Sequence, residues 1–175
     1  MSDLFNKCVA RVLKNEGGYT DDPDDIGNWT PDGELKGTNY GIAALYFPKE
    51  DIKGMTIERA KELYYEYFWI PSNLEGIWDQ ELVLQIFDFG INAGRGRSVR
   101  LIQKLVEVEQ DGQCGPITTG AINYFHPVCK SGYCYTLLDL FKNARVTYYR
   151  DLVNRIPKRQ KFLKGWLNRI EKTTL

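Results

Sequence analysis

The hydrophobic positions of the chain recur mostly at helical spacing, and the first such stretch ends in a glutamate. Apolar residues three and four positions apart predict a helix over residues 3–16. Glu16 follows Val12 by four residues and Leu13 by three, so it continues the apolar stripe and does not join the solvated face. The pair Gly17-Gly18 then predicts the end of the helix, because glycine accepts the left-handed cap geometry without steric cost.

A carboxylate on an apolar stripe at a helix end has two explanations. Burial opposes ionisation and raises the pKa of a carboxyl group, which suits a general acid that works near neutral pH. Alternatively, Glu16 bends out to water or pairs with a buried arginine, and its role is then structural. The spacing alone leaves both explanations open.

Later stretches also have helical periodicity, so the predicted fold class is mainly α. Thr56 is a candidate N-cap for a helix that continues through Trp69 and that Pro71 would end. Residues 19–39 are dense in Asp, Gly, Pro, Asn and Thr, which predicts turns and a short irregular or β-hairpin segment after the first helix. Further amphipathic helices are predicted around residues 99–106, from 116, over 137–152 and over 162–170.

The helix predicted over about residues 80–93 is apolar nearly all round, which indicates a helix buried in the middle of the domain. Its polar members Gln85, Asp88 and Asn92 share one stripe. Buried polar side chains must be satisfied, either internally or by lining a cleft. We favour the cleft.

The chain length of 175 residues is sufficient for one compact body with a sizeable core. Gly94-Arg95-Gly96 is the best candidate for a boundary. We therefore predict a catalytic lobe over residues 1–93 and a helical lobe over residues 94–175, packed together.

The net charge is zero but uneven, because residues 142–172 hold ten Lys or Arg against Asp151 and Glu171. This asymmetry permits an anionic partner, although a solvated basic helix face is the simpler interpretation. Aromatic residues make up 13% of the chain, with four Trp and eleven Tyr; most of them suit core packing, and some suit a sugar-binding cleft.

The first residues show neither a basic nor an apolar signal-peptide region, and no apolar run approaches the length of a membrane span. We expect synthesis in the cytoplasm, with action in the periplasm or on the cell wall after export by a holin-like or other signal-independent route. Cys8 lies on the apolar stripe and is predicted to be a core thiol. Cys129 and Cys134 could close a small loop, but a reducing cytoplasm would leave them free.

The residue types exclude several chemistries. His126 is the only histidine, so a His-rich zinc site is not available and a Ser-His or Cys-His hydrolase would depend on this one residue. The chain has no phosphate-binding glycine motif. We expect neither a metal nor a cofactor. Carboxylates are plentiful, and two carboxylates in unlike environments are what glycoside hydrolysis requires.

Several motifs, in order along the chain, resemble glycoside hydrolase family 108, the bacterial and phage N-acetylmuramidases. The resemblance begins with Glu16-Gly17-Gly18-Tyr19, Asp22-Pro23 and Thr38-Asn39-Tyr40-Gly41-Ile42, and covers almost the whole chain. Its later pieces are Met55-Thr56-x-Glu58-x-Ala60, Tyr67-x-Trp69, Phe87-Asp88-x-Gly90-x-Asn92-x-Gly94, Leu101-x-Gln103, Asp111-Gly112-x-x-Gly115-Pro116-x-Thr118, Arg145-x-x-Tyr148-Tyr149 and Gly165-Trp166-x-Asn168-Arg169.

The resemblance implies a lysozyme-like helical fold, cleavage of the peptidoglycan glycan strand, and Glu16 as the catalytic glutamate. It also implies that the second half is a peptidoglycan-binding region, marked most clearly by residues 111–118. Residues 26–36 depart from the family pattern as an aromatic and charged insertion, which leaves the second carboxylate open.

The wider lysozyme superfamily, in its phage type, suggests how to choose that carboxylate. It places an aspartate nine residues after the glutamate and a threonine on a following turn, and here these positions hold Asp25 and Thr38. We assign Asp25 as the base, with Asp22 as the alternative, and Thr38 as the positioner of the attacking water. The remaining possibility is a solvated loop with capping aspartates. Predicted substrate contacts are Tyr19, Asp22, Asn39, Tyr40, Asp88 and Asn92.

The predicted activity is hydrolysis of the β-1,4 bond between N-acetylmuramic acid and N-acetylglucosamine with inversion, because Asp25 lies on a different element from Glu16. The expected partner is the peptidoglycan glycan strand, with no nucleic acid, no membrane span and a monomeric state. The rival hypotheses are a non-catalytic cell-wall-binding or secretion-associated protein of the same fold, and a peptidoglycan amidase or endopeptidase, which the single histidine disfavours.

Overall fold

The structure is a computed structural model that describes residues 1–175, and it is mainly helical. Its helices are α1 (Asp3–Asn15), α2 (Ile57–Tyr64), α3 (Ile70–Ser72), α4 (Gln80–Ala93), α5 (Arg95–Leu105), α6 (Pro116–Asn123), α7 (Leu137–Arg155) and α8 (Gln160–Lys172). The strands form two antiparallel pairs: β1 (Thr38–Asn39) with β2 (Ile42–Ala43), and β3 (Val128–Lys130) with β4 (Tyr133–Tyr135). The predicted α class and the hairpin after the first helix are confirmed. No helix combines the length and the apolar character that crossing a bilayer requires.

Helix α1 ends one residue earlier than predicted. Ser2 caps its start by accepting a hydrogen bond from the Phe5 N–H, and Asn15 is its last residue. Glu16 already has an extended backbone, with φ −84° and ψ 146°, although its N–H still bonds to the Val12 carbonyl. Neither following glycine has a positive φ, so the expected left-handed glycine cap is wrong.

The helix capped by Thr56 begins as predicted but runs past Pro71. The Thr56 side chain accepts a hydrogen bond from the Arg59 N–H, and α2 then continues through a π-helical turn, Tyr65–Trp69, into α3. The wide turn changes the hydrogen-bond register, and such a shift leaves a carbonyl without its usual donor. Proline has no N–H to donate, so Pro71 is tolerated at that point and the helix ends at Ser72.

Helix α4 is the centre of the molecule, as predicted. Residues 82–90 are all buried, and α1 and α7 pack against this helix. Phe87 makes edge-to-face contacts with Phe5 and Trp69, at centroid distances of 6.2 and 5.1 Å. A single cluster of 28 buried hydrophobic residues extends from Phe5 to Ile170, so residues from both ends of the chain share one core.

The cysteines divide into a buried and an exposed pair. Cys8 and Cys114 are buried free thiols, which confirms the prediction for Cys8, and burial raises the pKa of Cys8 to about 12. Cys129 and Cys134 face each other across the exposed β3–β4 hairpin and form a disulfide, with Cα atoms 3.9 Å apart. The structure therefore contains the small closed loop that the sequence had left undecided.

Candidate active site

Glu16 is fixed by an arginine from the last helix of the chain. The Arg169 Nη2 lies 2.7 Å from Glu16 Oε1, and the two side chains are only 14% and 17% exposed. The alternative in which Glu16 pairs with a buried arginine is therefore the observed arrangement. Only Oε1 is engaged by this hydrogen bond, so Oε2 has a different environment.

The same arginine links Glu16 to a buried ion cluster under α4. The Arg169 Nε donates to Asp88 Oδ1 at 2.8 Å, and the Arg145 Nη2 donates to Asp88 Oδ2 at 2.7 Å. Burial lowers the pKa of Arg169, but Asp88 and Glu16 together raise it further, so the net direction is upward and Arg169 stays charged. Two guanidinium groups thus face two carboxylates, which compensates the charge that burial would otherwise penalise.

The polar stripe of α4 is mostly satisfied internally. Gln85 is fully buried, and its Nε2 donates to the carbonyls of Ile170 and Thr173 at 3.2 and 2.8 Å. Asp88 is also fully buried, so direct contact of Asp88 with a substrate was a wrong expectation. The reason is that partners for these groups come from α7, α8 and the residues that follow α8. Only Asn92, at the exposed end of the stripe, lines a cavity.

Glu16 Oε2 lies against the turn of the β1–β2 hairpin. A Cβ atom added to Gly41 would fall 2.8 Å from Glu16 Oε2 and 2.5 Å from the Tyr64 hydroxyl oxygen, and Gly41 also has φ +76°. Glycine is therefore required at this position. The Tyr64 hydroxyl donates to the Tyr40 carbonyl at 2.9 Å, and burial, reinforced by Glu16, raises the pKa of Tyr64, which keeps this hydroxyl protonated.

Gly41 forms part of the wall of a large cavity, which has a volume of about 740 Å³. Glu16 is not itself a wall residue but lies directly behind Gly41. Most of the wall is apolar or aromatic. Its remaining residues are Ala43, Tyr46, Phe47, Tyr67, Phe68, Gly90, Ile91, Asn92, Ala93, Gly94, Arg97, Tyr148, Tyr149, Leu152, Arg159 and Trp166.

Asp25 lies on an exposed turn beside the same hairpin. It caps the 3₁₀ turn Ile26–Asn28, and its Oδ1 accepts a hydrogen bond from the Gly27 N–H at 2.9 Å. A Cβ atom at Gly27 would lie 3.2 Å from Asp25 Oδ1 and 3.8 Å from the Ala43 Cβ, and Ala43 is a wall residue of the cavity. The turn that carries Asp25 is therefore packed against the hairpin.

The pairing of β1 with β2 places Thr38 beside the same part of the hairpin. It stands opposite Ala43 in the β1–β2 pair, and directly paired residues share one face of a sheet. Its backbone also pairs with Thr20 in both directions, at 2.8 and 2.9 Å. Glu16 thus lies beside Gly41, Thr38 stands opposite Ala43, and Gly27, in the turn that Asp25 caps, lies near Ala43, so all three predicted catalytic residues belong to segments around one short hairpin.

Family models match both halves of the chain. Residues 9–94 match the model of the glycosyl hydrolase 108 family, and residues 97–171 match that of a predicted peptidoglycan domain. The N-terminal half of the chain belongs to the glycosyl hydrolase 108 family. A solved structure described as that of Brucella abortus SagA is similar, with 26% sequence identity and a TM-score of 0.71 over 97% of this chain and 90% of that one. No curated protein matched the sequence.

The recognised family and the lysozyme-like helical fold are therefore confirmed. The two matched regions meet between Gly94 and Arg97, where α4 ends and α5 begins. Glu16, Asp25 and Thr38 all lie in the glycosyl hydrolase 108 region. Arg169, which holds Glu16, lies in the predicted peptidoglycan domain.

The other predicted substrate contacts of the glycosyl hydrolase 108 region lie outside the cavity wall. Asn39 is buried, and its Nδ2 donates to the Ile52 carbonyl at 3.1 Å, so this side chain braces the hairpin. Tyr40 has φ +50° and supplies the carbonyl that Tyr64 binds. Asp22 caps the Asp24 N–H, and Tyr19 lines a separate, smaller cavity. Proximity to the catalytic motifs in sequence does not bring these side chains to the cavity, because the backbone geometry places them elsewhere.

The insertion in the glycosyl hydrolase 108 region folds back onto the acidic segment. The Asn28 Nδ2 donates to the Asp22 carbonyl, and the Trp29 Nε1 donates to the Pro23 carbonyl, both at 2.9 Å. Trp29 also pairs with Leu35 as an isolated bridge. The insertion is thus an ordered brace for the segment that carries Asp25.

The clearest sequence mark of the predicted peptidoglycan domain is a structural brace. The Gln103 Nε2 donates to Asp111 Oδ1 at 2.7 Å and to Thr118 Oγ1 at 3.1 Å, while its Oε1 accepts from the Gly112 N–H. The hydrogen bond from Gln103 lowers the pKa of Asp111. These side chains bind one another, so the motif organises the loop between α5 and α6.

Sequence reasoning missed the arginines that hold the acidic residues. Arg145 and Arg169 both stand in motifs that carry the family resemblance, so a signal was present. Their partners lie 57 and 153 residues away in sequence, for Asp88 and Glu16 respectively, and periodicity along the chain cannot reveal such pairs.

Proposed function

We propose that the protein is a lysozyme of the N-acetylmuramidase type, which cleaves the β-1,4 bond between N-acetylmuramic acid and N-acetylglucosamine in peptidoglycan. The observation that carries this proposal is the convergence of Glu16, Asp25 and Thr38 on the hairpin that forms one wall of the large cavity. The family match to glycosyl hydrolases and the adjoining predicted peptidoglycan domain support the bond class and the polymer.

Glu16 serves as the general acid in this proposal. In its protonated form it donates this proton to the glycosidic oxygen as the bond from that oxygen to the anomeric carbon breaks; the carboxylate paired with Arg169 in the structure is the form left after this step. The negative charge then left on Glu16 is stabilised by Arg169, which is already in hydrogen-bond contact with Oε1. The other oxygen, Oε2, lies next to Gly41, a wall residue of the cavity, so we assign the proton transfer to it.

Asp25 serves as the base, and Thr38 as the group that positions the water. The water attacks the anomeric carbon and gives its proton to Asp25, so that the hydroxyl ends on the new reducing end. Placing the two carboxylates on separate elements favours the spacing of roughly 6.5 to 9.5 Å that inversion requires, as opposed to about 5 to 5.5 Å for retention. Asp22 remains the alternative base.

The aromatic wall of the cavity would bind the sugar rings. Tyr46 and Tyr67 are 76% and 57% exposed, so both present open aromatic faces at this wall. Flat aromatic faces suit the apolar faces of sugar rings, while Asn92 offers a polar group at the same wall.

Mass spectrometry of purified cell walls digested by the protein tests the proposal. Fragments that end in reducing N-acetylmuramic acid are the expected products. Fragments that end in reducing N-acetylglucosamine would instead identify an N-acetylglucosaminidase. Free peptide stems would instead identify an amidase. Inversion is tested by using NMR to identify the anomer that forms first at the new reducing end. An α-anomer is expected, and a β-anomer would contradict inversion.

A second candidate function is a non-catalytic cell-wall-binding or secretion-associated protein of the same fold. The pairing of Glu16 with Arg169 favours it, since a glutamate that is only structural would be bound in the same way. Turbidity of a cell-wall suspension separates the two candidates, because only an enzyme clears it. For either function, we propose that the protein reaches the cell wall by a holin-like or other signal-independent route and acts as a monomer.

A further inference from the structure

The charged residues in the wall of the large cavity are all positive. Its 17 residues include two arginines, Arg97 and Arg159, and no aspartate or glutamate. Neither arginine takes part in a salt bridge within the molecule, and both are exposed. The cavity therefore presents two uncompensated positive charges to whatever it binds.

Arg97 is held in position at this wall. One of its Nη atoms donates to the Ala93 carbonyl at the end of α4, and the guanidinium carbon lies 5.5 Å from the centroid of the Tyr148 ring. A guanidinium that is stacked on an aromatic face and bonded on one side keeps its other N–H groups available for an acceptor. Arg97 is thus arranged as a preformed donor.

Arg159 reaches the wall of the same cavity from the turn between α7 and α8. It closes the 3₁₀ turn Pro157–Arg159 between α7 and α8, and its side chain forms no salt bridge in the molecule. Trp166, further along α8, is another wall residue. The two arginines and the rings of Tyr148 and Trp166 belong to the helical half of the molecule, whereas Gly41 and Ala43 belong to the hairpin half.

This charge pattern does not suit every β-1,4-linked amino-sugar polymer. Chitin consists of N-acetylglucosamine alone and carries no charge, so it gives the arginines nothing to neutralise. In peptidoglycan, every second sugar carries a lactyl group that ends in a carboxylate or continues into a peptide stem with its own carboxylates. Arginine binds carboxylates through paired, charge-assisted hydrogen bonds.

We propose that Arg97 and Arg159 bind a carboxylate borne by the muramoyl residue and so make the cavity selective for peptidoglycan over chitin-like glycans. The inference rests on the proposed function for its substrate polymer, but it concerns binding selectivity and not bond cleavage. The carboxylate is either that of the lactyl group or one of the peptide stem; both present the same chemistry to the two arginines.

The test is a set of binding titrations in which the carboxylate of the ligand is varied. Three ligands are compared on the Glu16→Gln background, which prevents turnover: a neutral chitotetraose, a peptide-free muramoyl tetrasaccharide with its lactyl carboxylates, and the same tetrasaccharide with peptide stems. The quantity followed is the ratio of affinities, carboxylated over neutral. We expect the ratio to exceed one and to fall as salt is raised from about 0.05 to 0.5 M, because salt screens exposed ion pairs.

The variants Arg97→Gln and Arg159→Gln should each lower this ratio by about fivefold, the range of exposed ion pairs, and the double variant should bring it close to one. Arg97→Lys should restore part of the lost preference, since the charge returns without the paired geometry. Arg150→Gln is the matched control: it removes the same charge from an exposed position on α7 outside the cavity wall, and the ratio should stay unchanged.

A double Gln variant that keeps the full preference, or an original protein that binds neutral and carboxylated ligands equally, would overturn the inference. A preference already present with the peptide-free ligand would assign the contact to the lactyl carboxylate. A preference that appears only with stems would assign it to the peptide. Failure of the protein to cleave cell walls would remove the proposed activity without changing these binding ratios, so the two failures are distinguishable.

Discussion

Glu16 and Asp25, the two carboxylates assigned to catalysis, are held in place in different ways. Glu16 is bound by Arg169 from the last helix, which also binds the buried Asp88. Asp25 is exposed and is held by a hydrogen bond from Gly27, two residues along the chain. The first carboxylate therefore depends on the packing of the whole molecule, whereas the second depends on its local turn.

This difference suits the two proposed roles. A general acid must keep a fixed approach to the glycosidic oxygen, and a partly buried ion pair restricts the side chain of Glu16. A base that acts through water needs access to solvent, which an exposed turn provides for Asp25. The difference also predicts that substitutions at the two sites will have distinct effects on stability.

The largest effect is expected for Glu16→Gln. The amide keeps the size of the side chain and can still accept a hydrogen bond from Arg169, but it cannot donate a proton as an acid does. General acid catalysis contributes roughly 100- to 10,000-fold, so clearing of a cell-wall suspension should slow by at least about 100-fold. Circular dichroism should show a folded protein. A folded variant with full lytic activity would end the assignment of Glu16 as the acid.

Asp25→Asn should lower the rate by a similar or somewhat smaller factor, about 100-fold, without a change in melting temperature. Asn still accepts the hydrogen bond from Gly27, so the turn is preserved. Asp22→Asn is the matched control, because it lies in the same exposed acidic segment. An active Asp25→Asn beside a slow Asp22→Asn would move the base to Asp22.

Arg169→Gln should affect both stability and activity. Removal of one member of a buried ion cluster costs about 3 kcal/mol or more, which corresponds to a fall in melting temperature of about 6 to 12 °C for a chain of this size. Activity measured well below that temperature should still fall by about tenfold, since Glu16 loses its anchor. Arg169→Lys, which keeps the charge but binds the two carboxylates less well, should lie between the original protein and Arg169→Gln.

An Arg169→Gln variant that melts early but clears cell walls at the normal rate when cold would show that the arginine is purely structural. The pH profile adds a second readout. If Arg169 acts on the acid, the alkaline limb of the activity profile should move in the variant, whereas a loss of stability alone would leave its position unchanged.

Asn92→Ala should have a smaller effect, because this exposed side chain lines the cavity but makes only one hydrogen bond, from its Nδ2 to the Asp88 carbonyl at 2.7 Å. We expect the KM for glycan to rise by about fivefold, with a melting temperature within about 2 °C of the original. A variant that melts much earlier but has an unchanged KM would place Asn92 among the structural groups.

The smallest effect is expected from opening the Cys129–Cys134 disulfide with the paired substitution Cys129→Ser and Cys134→Ser. The β3–β4 hairpin is exposed throughout and contributes no residue to the cavity wall. Lytic activity should stay within about twofold of the original, as for other surface changes. A loss of activity above about tenfold would show that the hairpin takes part in substrate binding, since a surface change alone has a much smaller effect.

Features that depend on local sequence, as the position of Asp25 does, could be predicted from the sequence more fully than other features of the fold. The helix cap at Thr56, the buried α4 and the hairpin follow from local composition and periodicity, and all are present. The end of α1 at Asn15 and the passage of the helix through Pro71 could not be predicted, since each depends on a backbone geometry that no single residue type specifies.

In the candidate site, positions set by nearby residues could also be predicted, whereas contacts with distant parts of the chain could not. Thr38 is part of the β1–β2 hairpin and Asp25 precedes it closely in the chain, so the proximity of both to this hairpin follows from short sequence separations. The burial of Asp88 and Gln85 depends on partners from α7 and α8, which the pattern of α4 alone does not contain. A polar stripe on a buried helix therefore predicts that partners exist, but not whether they are protein or ligand.

A structure of the Glu16→Gln variant with a bound muramoyl tetrasaccharide is the most direct test. The glycan should occupy the cavity walled by Gly41 and Ala43, with the amide that replaces the Glu16 carboxylate about 2.6 to 3.2 Å from a glycosidic oxygen. Asp25 should lie on the opposite face of the same sugar, with the two side-chain carboxyl positions roughly 6.5 to 9.5 Å apart. A glycan bound away from the β1–β2 hairpin, or one whose glycosidic oxygens all lie beyond the reach of the substituted side chain, would contradict the proposed active site.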